Sequence, residues 1–136
     1  MIENRQLKEL GVITLSANGH SSIINTKAYR IVTLSVGVDA TADLTLQVKG
    51  ATESHQTTDV DLTAAQGLSN RWDYILVKDR QDDAGIKGDD GLVFTGVGAD
   101  SRLVEVNANA LDKIALEVSG YTAGNVTIVV SGYSNA

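Results

Sequence analysis

The sequence predicts an all-β fold: an antiparallel two-sheet β-sandwich of about eight strands, with the jelly roll as the favoured form. Three observations carry this. Apolar and polar residues alternate in several short runs, the period of a strand with one buried face. The 136 residues include 15 valines and 12 threonines but no proline, which suits strands and argues against a disordered linker. Thirteen glycines, and aspartate as 12 of the 17 acids, supply turns rather than helices. An α/β fold would need helices of roughly ten or more residues between strands. Only residues 51–70 have that room, and Thr57, Thr58, Val60 and Gly67 weaken a helix there.

The elements follow in order. Residues 1–10 are polar, with Ile2, Leu7 and Leu10 as the apolar members. They read either as a frayed terminus or as an N-terminal arm that docks on a neighbour, with one β-sandwich domain over 11–136. Leu7 and Leu10 are spaced for a helical turn, too short to be stable alone. Val12 to Leu15 starts a strand, and Asn18-Gly19 is a turn signal. Tyr29 to Val38 is a longer strand with Val32, Leu34 and Val36 on one face. After Asp39 to Asp43, Leu44, Leu46 and Val48 alternate with Thr45, Gln47 and Lys49, so the two runs read as a β-hairpin. Residues 51–70 are irregular, with room for a helical turn near Leu62 to Gln66. Trp72, Tyr74 and Leu76 alternate in a strand whose other face carries Ile75 and Val77. Asp79 to Gly91 is an acidic, glycine-rich loop. Strands follow at Leu92 to Val97, Arg102 to Val106, Lys113 to Ser119 and Val126 to Val130.

An internal repeat runs through the chain. Thr33–Gly50 and Ala115–Gly132 align without a gap, and Leu34/Leu116, Val36/Val118, Thr45/Thr127, Val48/Val130 and Gly50/Gly132 are identical. Either the two segments are related, or two amphipathic hairpins of equal length simply look alike. Both readings suit two sheets packed about 10 Å apart.

A chain of this size can bury about two-thirds of its extended surface, enough for one core without staples. The absence of cysteine excludes a disulfide scaffold, a thiolate metal site and a cysteine nucleophile. The net charge of −6, with scattered cations, makes the chain a poor nucleic-acid binder, so no nucleic-acid partner is expected. No apolar run approaches the ~20 residues needed to span a bilayer, and the N-terminus has no apolar signal core. The expectation is a soluble chain made in a cytoplasm, with no membrane partner.

Candidate chemistry is sparse. The loop from Asp79 to Gly91 holds five acids, and Asp82-Asp83 with Asp89-Asp90 could converge on calcium. Their spacing is not that of an EF-hand, so a solvated loop is expected, with no metal and no cofactor. His20 and His55 sit in polar segments, with no nucleophile elbow, and read as surface residues. No catalytic residue is assigned, and no enzyme activity is expected. Trp72 and Tyr74 share a strand face and suit either the core or a sugar-stacking platform. The platform would make the chain a carbohydrate-binding sandwich of a phage fibre or baseplate.

Trp72 to Asp79 (WDYILVKD), Gly85 to Leu92 (GIKGDDGL), Glu105 to Asn107 (EVN), Leu111 to Tyr121 (LDKIALEVSGY) and Gly124 to Val130 (GNVTIVV) follow one another. This order resembles small β-sandwich structural proteins of tailed bacteriophages, of the capsid decoration (cement) or head-fibre kind. The resemblance implies a jelly-roll subunit, often a homotrimer, whose partner is the major capsid protein. It would be made in the host bacterial cytoplasm, sit on the virion's capsid surface and brace neighbouring capsomers. Ile2, Leu7 and Leu10 would then meet the capsid or a second subunit.

Overall fold

The computed structural model describes residues 5–52, 62–63, 65–68 and 70–135. Ile2, His55 and most of the irregular 51–70 segment lie outside the described residues. Among the described residues twelve strands occur in order: β1 (Arg5–Leu15), β2 (Gly19–His20), β3 (Ile24–Asn25), β4 (Ile31–Val38), β5 (Asp43–Ala51), β6 (Asp73–Tyr74), β7 (Val77–Asp79), β8 (Gly85–Ile86), β9 (Leu92–Thr95), β10 (Asp100–Asn107), β11 (Lys113–Ala123) and β12 (Val126–Asn135). Leu62 and Thr63 are helical.

The strands form two antiparallel sheets. One runs β1-β12-β4-β10-β7-β8; the other runs β2-β11-β5-β6, with β3 also on β11 and β9 also on β5. We refer to them as the β1 sheet and the β5 sheet. Taking β2 with β3 and β6 with β9, and setting aside the short β7 and β8, the sheets read first-eighth-third-sixth and second-seventh-fourth-fifth. That is the jelly-roll order, the form favoured from about eight short strands packed as two sheets.

Val32, Leu34 and Val36 of β4 meet Leu44, Leu46 and Val48 of β5, with Val104, Leu116, Ile128 and others, in one buried core. Each such side chain, fully buried, contributes about 1.5–3 kcal/mol. A second, smaller cluster lies on the outer side of the β5 sheet: Leu62 and Trp72 cover Ala51 and Ala115. The start of β11 is therefore buried on both faces.

The hairpin expectation is corrected. β4 lies in the β1 sheet and β5 in the β5 sheet, so Asp39 to Ala42 arches across the sandwich. The same holds for β11 and β12. Alternation reports that each strand has one apolar face; it does not say whether two such faces lie side by side or face each other. Here they face each other, and Asp39 fastens the corner. Its Oδ1 accepts from Thr41 N and Oγ1, and its Oδ2 accepts from Asn125 N and Nδ2.

The two arches interlock as the repeat requires. Leu34 pairs with Val130, and their repeat counterparts Leu116 and Val48 pair with each other. Val36–Ile128 and Val118–Leu46 repeat the relation. The repeated segments thus exchange places under a pseudo-two-fold relation of register.

Two further boundaries differ from the sequence reading. Residues 5–10 are not a separate arm: β1 runs through position 10 and pairs with β12 along its length, with a register shift between Glu9 and Gly11. Across this bulge Leu10 turns toward the core while Leu7 stays exposed, so the two leucines do not share a face as a helical turn would require. The Trp72 to Val77 run is not one strand. β6 pairs with β5 and β7 with β10, so Ile75 and Leu76 cross from one sheet to the other.

Candidate interaction surface

Trp72 and Tyr74 do not form a platform. Trp72 is 1% exposed and belongs to the outer cluster with Leu62, so its ring presents no face to a ligand. Tyr74 is directed into a polar cluster beside it. Its hydroxyl donates to Glu117, 3.0 Å from Oε1 and 2.7 Å from Oε2. Lys49 Nζ lies 5.0 Å from the Tyr74 ring centroid and 3.7 Å from Glu117 Oε2, and donates to the Leu62 carbonyl at 3.0 Å. His20 Nε2 is 3.6 Å from the same Glu117 oxygen. Burial pushes the Tyr74 phenol up to about 12, helped by its bond to Glu117 and the charges of Glu117 and Asp89.

This cluster was not visible as a cluster in the sequence. Alternation puts Lys49 and Glu117 on the faces of β5 and β11 opposite the core residues, and nothing local in the sequence shows that this outer face is covered. The side chain of His20, expected at the surface, is largely covered. The reason is the segment bearing Leu62 and Trp72, which lies over this face. Chemically the cluster is a closed ion-pair and hydrogen-bond network that ties β2, β5, β6 and β11 together.

The acidic loop is likewise more structured than a solvated run. Gly85 and Ile86 form β8 on β7. Gly88 packs on the backbone of Tyr74, where a Cβ would lie 2.5 Å from the carbonyl carbon. Gln47 Nε2 donates to the carbonyls of Gly88 and Asp89. Asp79 is buried and pairs with Arg102. The Gln81 amide, then the Arg102 side chain, holds its carboxyl below the usual range. Asp82 accepts from the Ala84 amide and Asp83 pairs with Lys78. Among the described residues no three His, Cys, Asp or Glu side chains converge as a metal site.

The outer face of the β1 sheet carries regular cross-strand rows. One row runs Val12, Val129, Ser35, Leu103 from β1 through β12 and β4 to β10. The next runs Thr14, Thr127, Gly37, Ser101, with Thr14 Oγ1 3.0 Å from Thr127 Oγ1. Val12 is 59% exposed and Leu103 52%. This side of the sandwich therefore offers a surface of small and β-branched residues, whereas Leu62 and Trp72 cover part of the other. Of the residues expected to meet a partner, Leu7 is 67% exposed opposite Tyr133, while Leu10 packs against the core. At the Leu7 end, a groove of about 710 Å³ opens beside Arg30, Asn107 and Tyr133.

Fold and surface together define an all-β jelly-roll protein with an open sheet face. No family model and no curated protein sequence matches the chain. Among solved structures, it is similar to the SPBc2 prophage-derived protein YomS, with a TM-score of 0.61 and 12% identity. The likeness covers 98% of this chain and 96% of that one, so the two share a fold from end to end. No helix among the described residues is long and apolar enough to cross a membrane.

Proposed function

We propose that this chain is a non-enzymatic virion structural protein that decorates a bacteriophage capsid and braces neighbouring capsomers. The observation that carries the reading is the open outer face of the β1 sheet, with its Val12–Val129–Ser35–Leu103 row. A rigid, extended sheet face of this composition suits docking on a second rigid surface. The prophage origin of YomS, which has the same fold over nearly its whole length, supports a phage setting. The major capsid protein is the proposed partner, and a homotrimer the proposed form. The acidic balance of the chain suits basic patches on a shell. Many copies on one lattice act together, so modest contacts suffice. Copies that bind only the mature shell stabilise it by linkage.

The test is co-sedimentation with capsids of the parent phage produced without this gene. Saturable binding, with a rise in the heat resistance of the shell, is the expected result. A Val12→Lys, Val129→Lys double variant should fold but not bind. Absence of binding by the natural chain, or undiminished binding by the double variant, overturns the proposal. Sedimentation equilibrium reports the trimer separately.

A further inference from the structure

The groove at the Leu7 end of the β1 sheet has the chemistry of a saccharide site. Its volume, about 710 Å³, falls within the range of about 300–1,000 Å³ usual for small-ligand sites. Ile31 and Leu76 give it apolar walls, and Tyr133 adds an aromatic ring. Asn107 and Asn109 also line it; Asn107 Oδ1 already accepts the Asn109 amide at 3.0 Å, which leaves the Asn107 Nδ2 and the Asn109 carboxamide to donate and accept. An apolar wall with paired donors and acceptors matches a sugar ring, which has C–H faces and vicinal hydroxyls.

Charge narrows the class. Lys78 and Glu105 also line the groove, but each is already paired: Lys78 with Asp83 at 2.9 Å and Glu105 with Arg80 at 2.6 Å. Among the described residues, Arg30 is the groove's charged side chain with no carboxylate in ion-pair range. In a chain of net charge −6, an uncompensated guanidinium beside two carboxamides is a local exception. A planar guanidinium favours a carboxylate, which it can bind through two parallel hydrogen bonds.

We propose that this groove binds a carboxylated saccharide, with Arg30 on the carboxylate, Asn107 and Asn109 on hydroxyls, and Tyr133 with Ile31 under a ring face. This site is distinct from Trp72 and Tyr74, which pack against the other sheet. It also lies at the opposite end of the β1 face from Thr14, so it goes beyond the capsid reading.

The experiment is a side-chain-resolved NMR titration of the full chain with trigalacturonate and, in parallel, with neutral maltotriose. Trigalacturonate is expected to shift the signals of Arg30, Asn107 and Asn109, with maltotriose at least fivefold weaker. Arg30→Gln should bring trigalacturonate down to the maltotriose level, and Asn109→Ala should weaken both sugars. Both positions are exposed, and the spectrum of each variant reports its fold. Equal affinity for the two sugars, an unchanged affinity in Arg30→Gln, shifts confined to another region, or no shift at about 10 mM sugar overturns the proposal. Arg30→Gln should leave capsid co-sedimentation intact, so the two proposals fail separately.

Discussion

Ala42 and Gly124 hold the same position in the two repeated segments, and they touch. A Cβ at Gly124 would lie 2.4 Å from the Ala42 Cα, and Gly124 has a φ of +85°. The two sandwich corners therefore cross at a point where one partner must be glycine, for space and for backbone conformation alike.

Gly124→Ala should accordingly cost about 2–4 kcal/mol, from backbone strain plus overpacking. Gly120→Ala separates the two effects. Gly120 has a φ of +59° and nothing within 4 Å of its missing Cβ, so it carries strain without crowding. Its expected cost is about 1–2 kcal/mol. Urea unfolding of the two variants measures the difference.

Trp72→Ala should cost about 3–5 kcal/mol, since it empties the centre of the outer cluster. Trp72 is also the sole tryptophan. Its fluorescence should be blue-shifted in the folded chain, resist iodide quenching and stay unchanged by sugars. Free quenching in the folded state would contradict the burial.

Tyr74 should titrate late. Its folded pKa is raised to about 12 from 10.0, so the neutral phenol is favoured in the fold. The associated stability is complete below pH 10 and is lost as pH rises from 10 toward 12. Ultraviolet titration of phenolate should show a late component that is absent in Tyr74→Phe.

Asp79 works in the opposite sense. Its folded pKa is lowered from 3.8, so its contribution is present above that value and is lost as pH falls below it. The loss of urea midpoint on acidification should be smaller in Asp79→Asn than in the natural chain. Arg102→Gln, which removes the paired cation, should reduce that loss in part, because the Gln81 amide remains.

Val12→Lys alone should leave stability within about 0.5 kcal/mol, as expected for an exposed β-strand position. A larger loss would show that the outer face of the β1 sheet is already covered within the free protein.

Much of the fold was legible because its information is local. Val32, Leu34 and Val36 alternate with Thr33 and Ser35, and β4 follows from that alone. The same holds for β5, β11 and β12. The candidate surfaces were less legible. Arg30 and Tyr133 stand 103 positions apart, yet the Tyr133 carbonyl accepts the Arg30 amide at 3.0 Å. Lys49 and Glu117 carried no signal beyond an outward-facing register. Residues 1–10 were less legible, because Leu7 and Leu10 stand three apart in sequence yet lie on opposite faces of β1 across a bulge.

The sequence by itself determined the all-β class, the strands with one apolar face, the repeated segment and the lack of a cysteine framework. Those are properties of residue type and near-neighbour order, to which burial and backbone preference respond directly. Tertiary structure alone decided that the apparent hairpins are arches and that Trp72 belongs to a covered cluster. It also decided that Arg30 shares a groove with Asn107 and Tyr133. Each of these depends on which apolar face meets which. A period of two is the same for a strand beside its partner and for a strand opposite it, so only long-range packing distinguishes the two.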